Sequence, residues 1–179
     1  MSSFNRPEPA PMLSRLSART LFLLLFLFCA GLLGFGLYLQ HFRGLEPCPM
    51  CIMQRYALAL VGLVALAGAL HGPRNGGARI YGALILLIAI AGGGVAARQS
   101  WIQLYPPAIP ECGPGLEYML ESFGLTQALP MIFRGAGDCT AIDWTFLGLS
   151  IANWSLLSFA LILLLAGHLI VRRQVRRWY

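Results

Sequence analysis

Residues Thr20 to Gln40 read TLFLLLFLFCAGLLGFGLYLQ. The stretch holds 21 residues without a charge. At about 1.5 Å per residue, a helix of that length covers the roughly 30 Å of a bilayer's hydrocarbon core. It has almost no polar face to turn toward water. Arg15 and Arg19 precede it, as they would a secretory signal. The run is long and no A-x-A-like site follows, so it reads as a retained anchor.

Three further runs repeat the pattern. Tyr56 to Pro73 and Ile80 to Ala97 each hold 18 residues between two arginines, and Trp144 to Val171 holds 28. The second helix can begin earlier, near Met50. The 179-residue chain is 58% hydrophobic and only 11% charged. A soluble domain carries about 25% charged residues. The expected fold is therefore an all-α membrane protein, a bundle of four transmembrane helices forming one domain over 1–179. The spans are expected at 20–40, 50–71, 80–100 and 150–171. Outer loops fall at 41–49 and 101–149, and an inner loop at 72–79. The tails are 1–19 and 172–179.

Arginine placement orients the bundle, because inner loops carry the excess of basic residues. All 13 basic residues are arginine. Nine of them (Arg6, Arg15, Arg19, Arg74, Arg79, Arg172, Arg173, Arg176 and Arg177) fall in the two tails and the short inner loop. Arg43, Arg55, Arg98 and Arg134 share the other side with six of the seven acidic residues. Both termini are expected in the cytoplasm. The net charge of +6 forms no patch, so no nucleic-acid partner is expected. Gly92-Gly93-Gly94 lies inside a span and fits close helix packing.

Of five cysteines, Cys48, Cys51, Cys112 and Cys139 fall in or beside the two outer loops. Thiols outside the cytoplasm tend to be oxidised. Four cysteines allow three pairings. Cys48 with Cys51 is sterically natural, and Cys112 with Cys139 then closes a loop in the long segment. A zinc site would favour two close pairs, whereas the second pair here has 26 residues between its members, so no metal is expected. Purely structural staples seldom use the C-x-x-C spacing, which suits reversible exchange. Cys29 lies inside the first span and reads as a small apolar residue.

The first pair sits in EPCPMCIMQR, residues 46–55. Pro47 and Pro49 stop any earlier helix and set the start of the next. Cys51 then lies in a first helical turn, where the helix dipole favours a thiolate. Arg55 is one turn deeper on the same face. An arginine just inside a bilayer calls for a partner, a thiolate or a ligand carbonyl, unless it snorkels to the interface. Two disulfides exchanging with a soluble thiol protein receive electrons in pairs, and those electrons must leave. No haem, flavin or iron–sulfur motif is visible. The lipid-soluble two-electron carrier at hand is a quinone.

Several stretches together resemble the bacterial disulfide bond formation protein B (DsbB) family. They are Pro47-Cys48-Pro49-Met50-Cys51-Ile52 followed by Arg55, Gln103-Leu104-Tyr105-Pro106, Gly137-Asp138-Cys139, and Trp144 with Phe146-Leu147-Gly148-Leu149. The resemblance runs from the first span to the fourth. It implies an inner-membrane oxidoreductase that reoxidises the periplasmic thiol oxidase DsbA and passes electrons to a quinone, ubiquinone or menaquinone. It further implies that Cys48 and Cys51 form the quinone-proximal pair, with Cys51 meeting the quinone and Arg55 at the quinone site. Cys112 and Cys139 match the mobile-loop pair, and Cys112 takes the mixed disulfide with DsbA. Gln99 stands where some relatives carry histidine, and Gln54 where some carry an acidic residue.

Two other classes compete. The vitamin K epoxide reductase-like family is also a membrane C-x-x-C quinone enzyme, but its motif order fits poorly. A small metal-binding or transport protein would show acidic or histidine ligands inside its spans, and His168 is the only histidine deep in a run. In the long loop, Pro106, Pro107, Pro110 and Pro114 keep the segment around Cys112 extended. Leu116, Met119, Leu120 and Phe123 then recur at helical spacing, a short amphipathic helix suited to the bundle or the membrane interface.

Overall fold

The structure, a computed structural model, describes residues 17–73, 76–106, 121–122, 127, 130, 139–142 and 144–171. Four long helices make the fold: α1 Ala18–Arg43, α2 Pro49–His71, α3 Gly76–Leu104 and α4 Ile151–Val171. Each is long and apolar enough to cross a bilayer. Their outward faces confirm the solvent they are built for. Leu63 on α2, Leu87 on α3 and Leu164 on α4 are 61%, 65% and 73% exposed. Leucines presented in that number around a bundle suit lipid rather than water. The chain is a multi-pass membrane protein.

Local chemistry fixes the helix ends. Ser17 caps α1, its Oγ accepting from the Thr20 backbone N–H at 3.1 Å. Gly44 ends α1 in the left-handed conformation at φ 66°, where a side chain would be strained. Cys48 caps α2 with its sulfur, which accepts from the Cys51 backbone N–H at 3.4 Å, and Pro49 follows at the first helical position. Ser150 caps α4, accepting from the Asn153 N–H at 3.4 Å.

Helices neighbouring in sequence pack on each other, α1 on α2, α2 on α3 and α3 on α4, while α1 and α4 barely touch. The core fills the length of the bundle with Phe22, Leu25, Cys29, Val61, Ile85, Phe159 and Ile162, none measurably exposed beyond 1%. Small residues set the helix spacing. A Cβ on Gly92 would lie 2.5 Å from the Phe159 ring and 2.8 Å from Ala57 Cβ. Gly93 also faces Phe159, whereas Gly94 meets nothing within 4 Å. At the end opposite the Cys48 cap, His71 Nδ1 and Tyr81 Oη lie 3.1 Å apart and join α2 to α3.

The last helix begins where the sequence reading puts the span, and the apolar stretch before it, Trp144–Ser150, is not helical. Thr145–Phe146 (β1) and Leu149–Ser150 (β2) pair antiparallel around Leu147 and Gly148, both with positive φ (52° and 78°). The hairpin fits because Trp154 Nε1 donates to Phe146 O at 3.1 Å and pins it to α4. Helix α3 continues to Leu104, past the apolar run, because Gln103 finds partners beyond the core. Its Oε1 accepts from Ser150 Oγ at 2.6 Å and its Nε2 donates to Ala141 O at 3.5 Å. Of the amphipathic helix expected over 116–123, only Glu121 and Ser122 are described, and both are helical and exposed. The rest of it, with Cys112, lies outside the described residues.

Candidate functional site

The α1–α4 side of the bundle is not closed by helix contact, and a cavity of about 650 Å³ occupies it. Its wall includes Phe35, Gly36 and Tyr38 from α1, Cys51, Gln54 and Arg55 from α2, Gln99 from α3, and Trp154 from α4. Trp144 and Phe146 complete it from the hairpin side. The aromatic rings form a connected set. Trp144 meets Phe35 edge-on at 5.8 Å between centroids and stacks on Phe146 at 6.0 Å, and Phe146 meets Trp154 at 6.0 Å. A mostly apolar, aromatic cavity of this size with polar side chains set into its wall is a usual form of a small-molecule site.

Three sulfurs gather beside it, at the end of the bundle where α2 begins. Cys48 and Cys51 lie with Sγ atoms 3.1 Å apart, Cys48 donating to Cys51. The two sulfurs stand here as neighbouring thiols, close enough for small side-chain movements to bring them to the roughly 2.05 Å of a disulfide. The helix start brings them together, since Cys48 is the cap and Cys51 is in the first turn. Cys139, 1% exposed, is buried in the same cluster with Cys48, Met50, Val95 and Ile102. Its thiol is hydrogen-bonded to that of Cys48. The bond to Cys139, then the bond to Cys51, then burial push the Cys48 thiol far above the usual range. Cys48 therefore holds its proton at neutral pH.

Arg55 is on the same helix face one turn deeper, as the spacing implies, and it lines the cavity. Its resident partners come from α1. Nη2 donates to Gly36 O at 3.0 Å and Nη1 to Gln40 Oε1. Both arms are thus engaged by α1, and no carboxylate among the described residues pairs with the side chain. A Cβ at Gly36 would lie in van der Waals contact with the guanidinium, 3.4 Å from Nε.

The sequence reading did not single out Gln40 and left Gln54 and Gln99 without a role. Gln99 Nε2 donates to Cys48 Sγ at 3.3 Å and to Cys51 Sγ at 3.2 Å, and Gln54 Nε2 donates to Gln99 Oε1 at 2.6 Å. Polar residues inside apolar spans are costly and therefore informative, and that signal was available at all three positions. Cys29 sits apart, fully buried in the core.

Comparison with known proteins agrees with this arrangement. A sequence model described as disulfide bond formation protein DsbB matches residues 18–169. A disulfide bond formation protein B of Azoarcus sp. (strain BH72) is 73% identical over 158 residues, covering 88% of this chain and 95% of the relative. One from Aromatoleum aromaticum is 65% identical with the same coverage of both chains. One from Hahella chejuensis is 50% identical over 145 residues, 80% of this chain and 88% of the relative. The residues carrying those matches enclose the thiol cluster and the cavity beside it, and the chain belongs to the disulfide bond formation protein B (DsbB) family, with that family's redox role in forming disulfide bonds.

Proposed function

We propose that the chain reoxidises a periplasmic DsbA-like dithiol oxidase by thiol–disulfide exchange and passes the two electrons to a membrane quinone. The observation that carries this reading is the order of the sulfurs. Cys139 touches Cys48, Cys48 touches Cys51, and Cys51 forms part of the wall of the 650 Å³ cavity. The arginine count supports an inner-membrane protein with both termini in the cytoplasm, which puts the sulfurs at the periplasmic end.

The relay is written with its bonds balanced. The partner's thiolate attacks Cys112 in a Cys112–Cys139 disulfide, forms a mixed disulfide and releases Cys139 as a thiolate. Cys139, already against Cys48, attacks that sulfur in a Cys48–Cys51 disulfide and releases Cys51. The partner's second thiolate then resolves the mixed disulfide, and the freed Cys112 displaces Cys48 from Cys139. The loop disulfide is restored, the partner leaves oxidised, and Cys48 and Cys51 remain as two thiols. Closing their S–S bond again gives up two electrons and two protons.

The cavity fits a quinone by size, by its aromatic walls and by the Arg55 guanidinium beside Cys51 on α2, with Arg43 of α1 also in the wall. Arg55 would hold a ring carbonyl with its guanidinium, and Phe35, Trp144, Phe146 and Trp154 would flank the ring. Bound there, a quinone supplies a two-electron, two-proton acceptor. The test uses purified protein, the reduced partner oxidase and a short-chain quinone. Loss of quinone absorbance should match the loss of partner thiols one quinone to two thiols. Thiol oxidation without quinone reduction would sink the reading.

A further inference from the structure

The Gln54–Gln99 pair has no part in the relay as written, yet it touches both of its inner sulfurs. Gln54 and Gln99 are each 3% exposed, one from α2 and one from α3. Two amides buried this deeply cost free energy unless their polar atoms are paired. Here the pairing is directional. Gln54 Nε2 donates to Gln99 Oε1 at 2.6 Å, which commits that oxygen as an acceptor and turns Nε2 toward the thiols. From there Nε2 reaches Cys48 Sγ at 3.3 Å and Cys51 Sγ at 3.2 Å. Cys51 Sγ also lies 3.7 Å from Oε1 and donates to it. The one amide therefore meets Cys51 in both protonation states. A thiol donates to Oε1, and a thiolate accepts from Nε2, without a rotation.

We propose that Gln99 is a catalytic residue of the thiol relay, a non-titrating donor that holds the Cys48 and Cys51 sulfurs together in the reduced state, and that Gln54 is the positioning residue that aims it. The proposal rests on the relay reading above. Its chemistry follows from the amide. Gln99 neither takes nor gives a proton, so the proton leaving Cys51 departs by another route. What Gln99 supplies is stabilisation of the reduced pair. A dithiol whose reduced form is stabilised is the stronger oxidant once its disulfide forms. The Cys48–Cys51 disulfide is thereby made easier for Cys139 to open.

The test reads the reduction potential of the pair without quinone. Full-length protein carrying Cys112→Ser and Cys139→Ser is purified in detergent, freed of quinone, and equilibrated with dithiothreitol mixtures. The disulfide fraction is scored by alkylation. Gln99→Met keeps length and removes both donors. It should stabilise the disulfide about tenfold, as expected for losing a hydrogen bond to an ionised sulfur, which is about 30 mV more negative for this two-electron couple. Gln54→Met, which touches neither sulfur, should move the potential the same way by a smaller factor. The double variant should go no further than Gln99→Met alone, because an unaimed amide that is absent has nothing left to lose. A Gln99→Met potential within twofold of the parent in equilibrium constant would overturn the proposal, and so would factors that multiply in the double variant. Should Gln99→Met fail to accumulate in membranes, Gln54→Met decides, and an unmoved potential there overturns the proposal. Quinone turnover by the unsubstituted chain is measured in parallel. Shifted potentials with no quinone turnover defeat the relay-to-quinone reading alone. Unmoved potentials with normal turnover defeat this proposal alone.

Discussion

Replacing Arg55 with alanine removes the only cation placed along the cavity wall from α2 and cuts two ties to α1, at Gly36 O and Gln40 Oε1. The tie to Gly36 is to a backbone carbonyl already inside a helix, so its loss strands no essential group. The loss that matters is the donor to a bound carbonyl. A hydrogen bond involving a charged group contributes about 1.5–3 kcal/mol, and each 1.36 kcal/mol is tenfold. Arg55→Ala should therefore reduce kcat/KM for quinone by roughly ten- to a hundredfold, mostly through KM. Arg55→Lys keeps the charge without the planar fork and should recover only part of it. Gln40→Ala leaves the guanidinium in place but frees one arm, so its cost should stay below about tenfold. The assay is quinone reduction at saturating reduced partner, with quinone varied. An Arg55→Ala protein with unchanged quinone KM and turnover would refute the reasoning and leave Arg55 as a tie between α1 and α2.

Other outcomes follow from the same geometry. Gly92→Ala should lower thermal stability in detergent by about 1–3 kcal/mol through overpacking, since its Cβ would press on the Phe159 ring at 2.5 Å. Gly94→Ala, with nothing within 4 Å, should be neutral or mildly stabilising. Cys29→Ala should keep oxidase activity within about twofold, because the buried thiol acts as a small apolar group. Activity lost as completely as in Cys48→Ala would place Cys29 in the relay. In reduced protein, Cys48 should resist alkylation from pH 6 to 9. Its thiol is raised, so it stays protonated below its folded value, and only the thiolate is nucleophilic. The same sign means folding stability should fall as pH rises past the ordinary thiol range, where the unfolded Cys48 ionises and the folded one does not. Rapid labelling of Cys48 at pH 7 would contradict this.

What could be read from the sequence follows what the bilayer enforces. Spans were legible because length and absence of charge are harsh requirements, and the start of α2 was legible because Pro47 and Pro49 restrict the backbone around Cys48. The apolar run implies a third span of 80–100, four residues short of α3 at each end; at the far end Gln99, Ser100 and Gln103 interrupt the run while the helix continues to Leu104. The partners of Gln99 and Gln103, the thiols and Ser150, are far away in sequence. The Thr145–Ser150 hairpin was hidden because TFLGLS lacks the Asn-Gly or Asp-Gly turn pair, and Leu147 adopts a positive φ that its type does not advertise. The contact of Cys139 with Cys48 was also out of reach. Spacing shows which cysteines share a loop, and only packing shows which sulfur each one touches.

The central claim is the path Cys112 to Cys139 to Cys48 to Cys51. One disulfide map tests it most directly. Oxidised protein is mixed with a partner oxidase retaining only its attacking cysteine, quenched with an alkylating reagent, and digested for mass spectrometry. The account predicts the partner bonded to Cys112, a Cys48–Cys139 disulfide, and Cys51 alkylated. The partner on Cys139 or Cys48, or an intact Cys48–Cys51 bond beside alkylated Cys139, would contradict it.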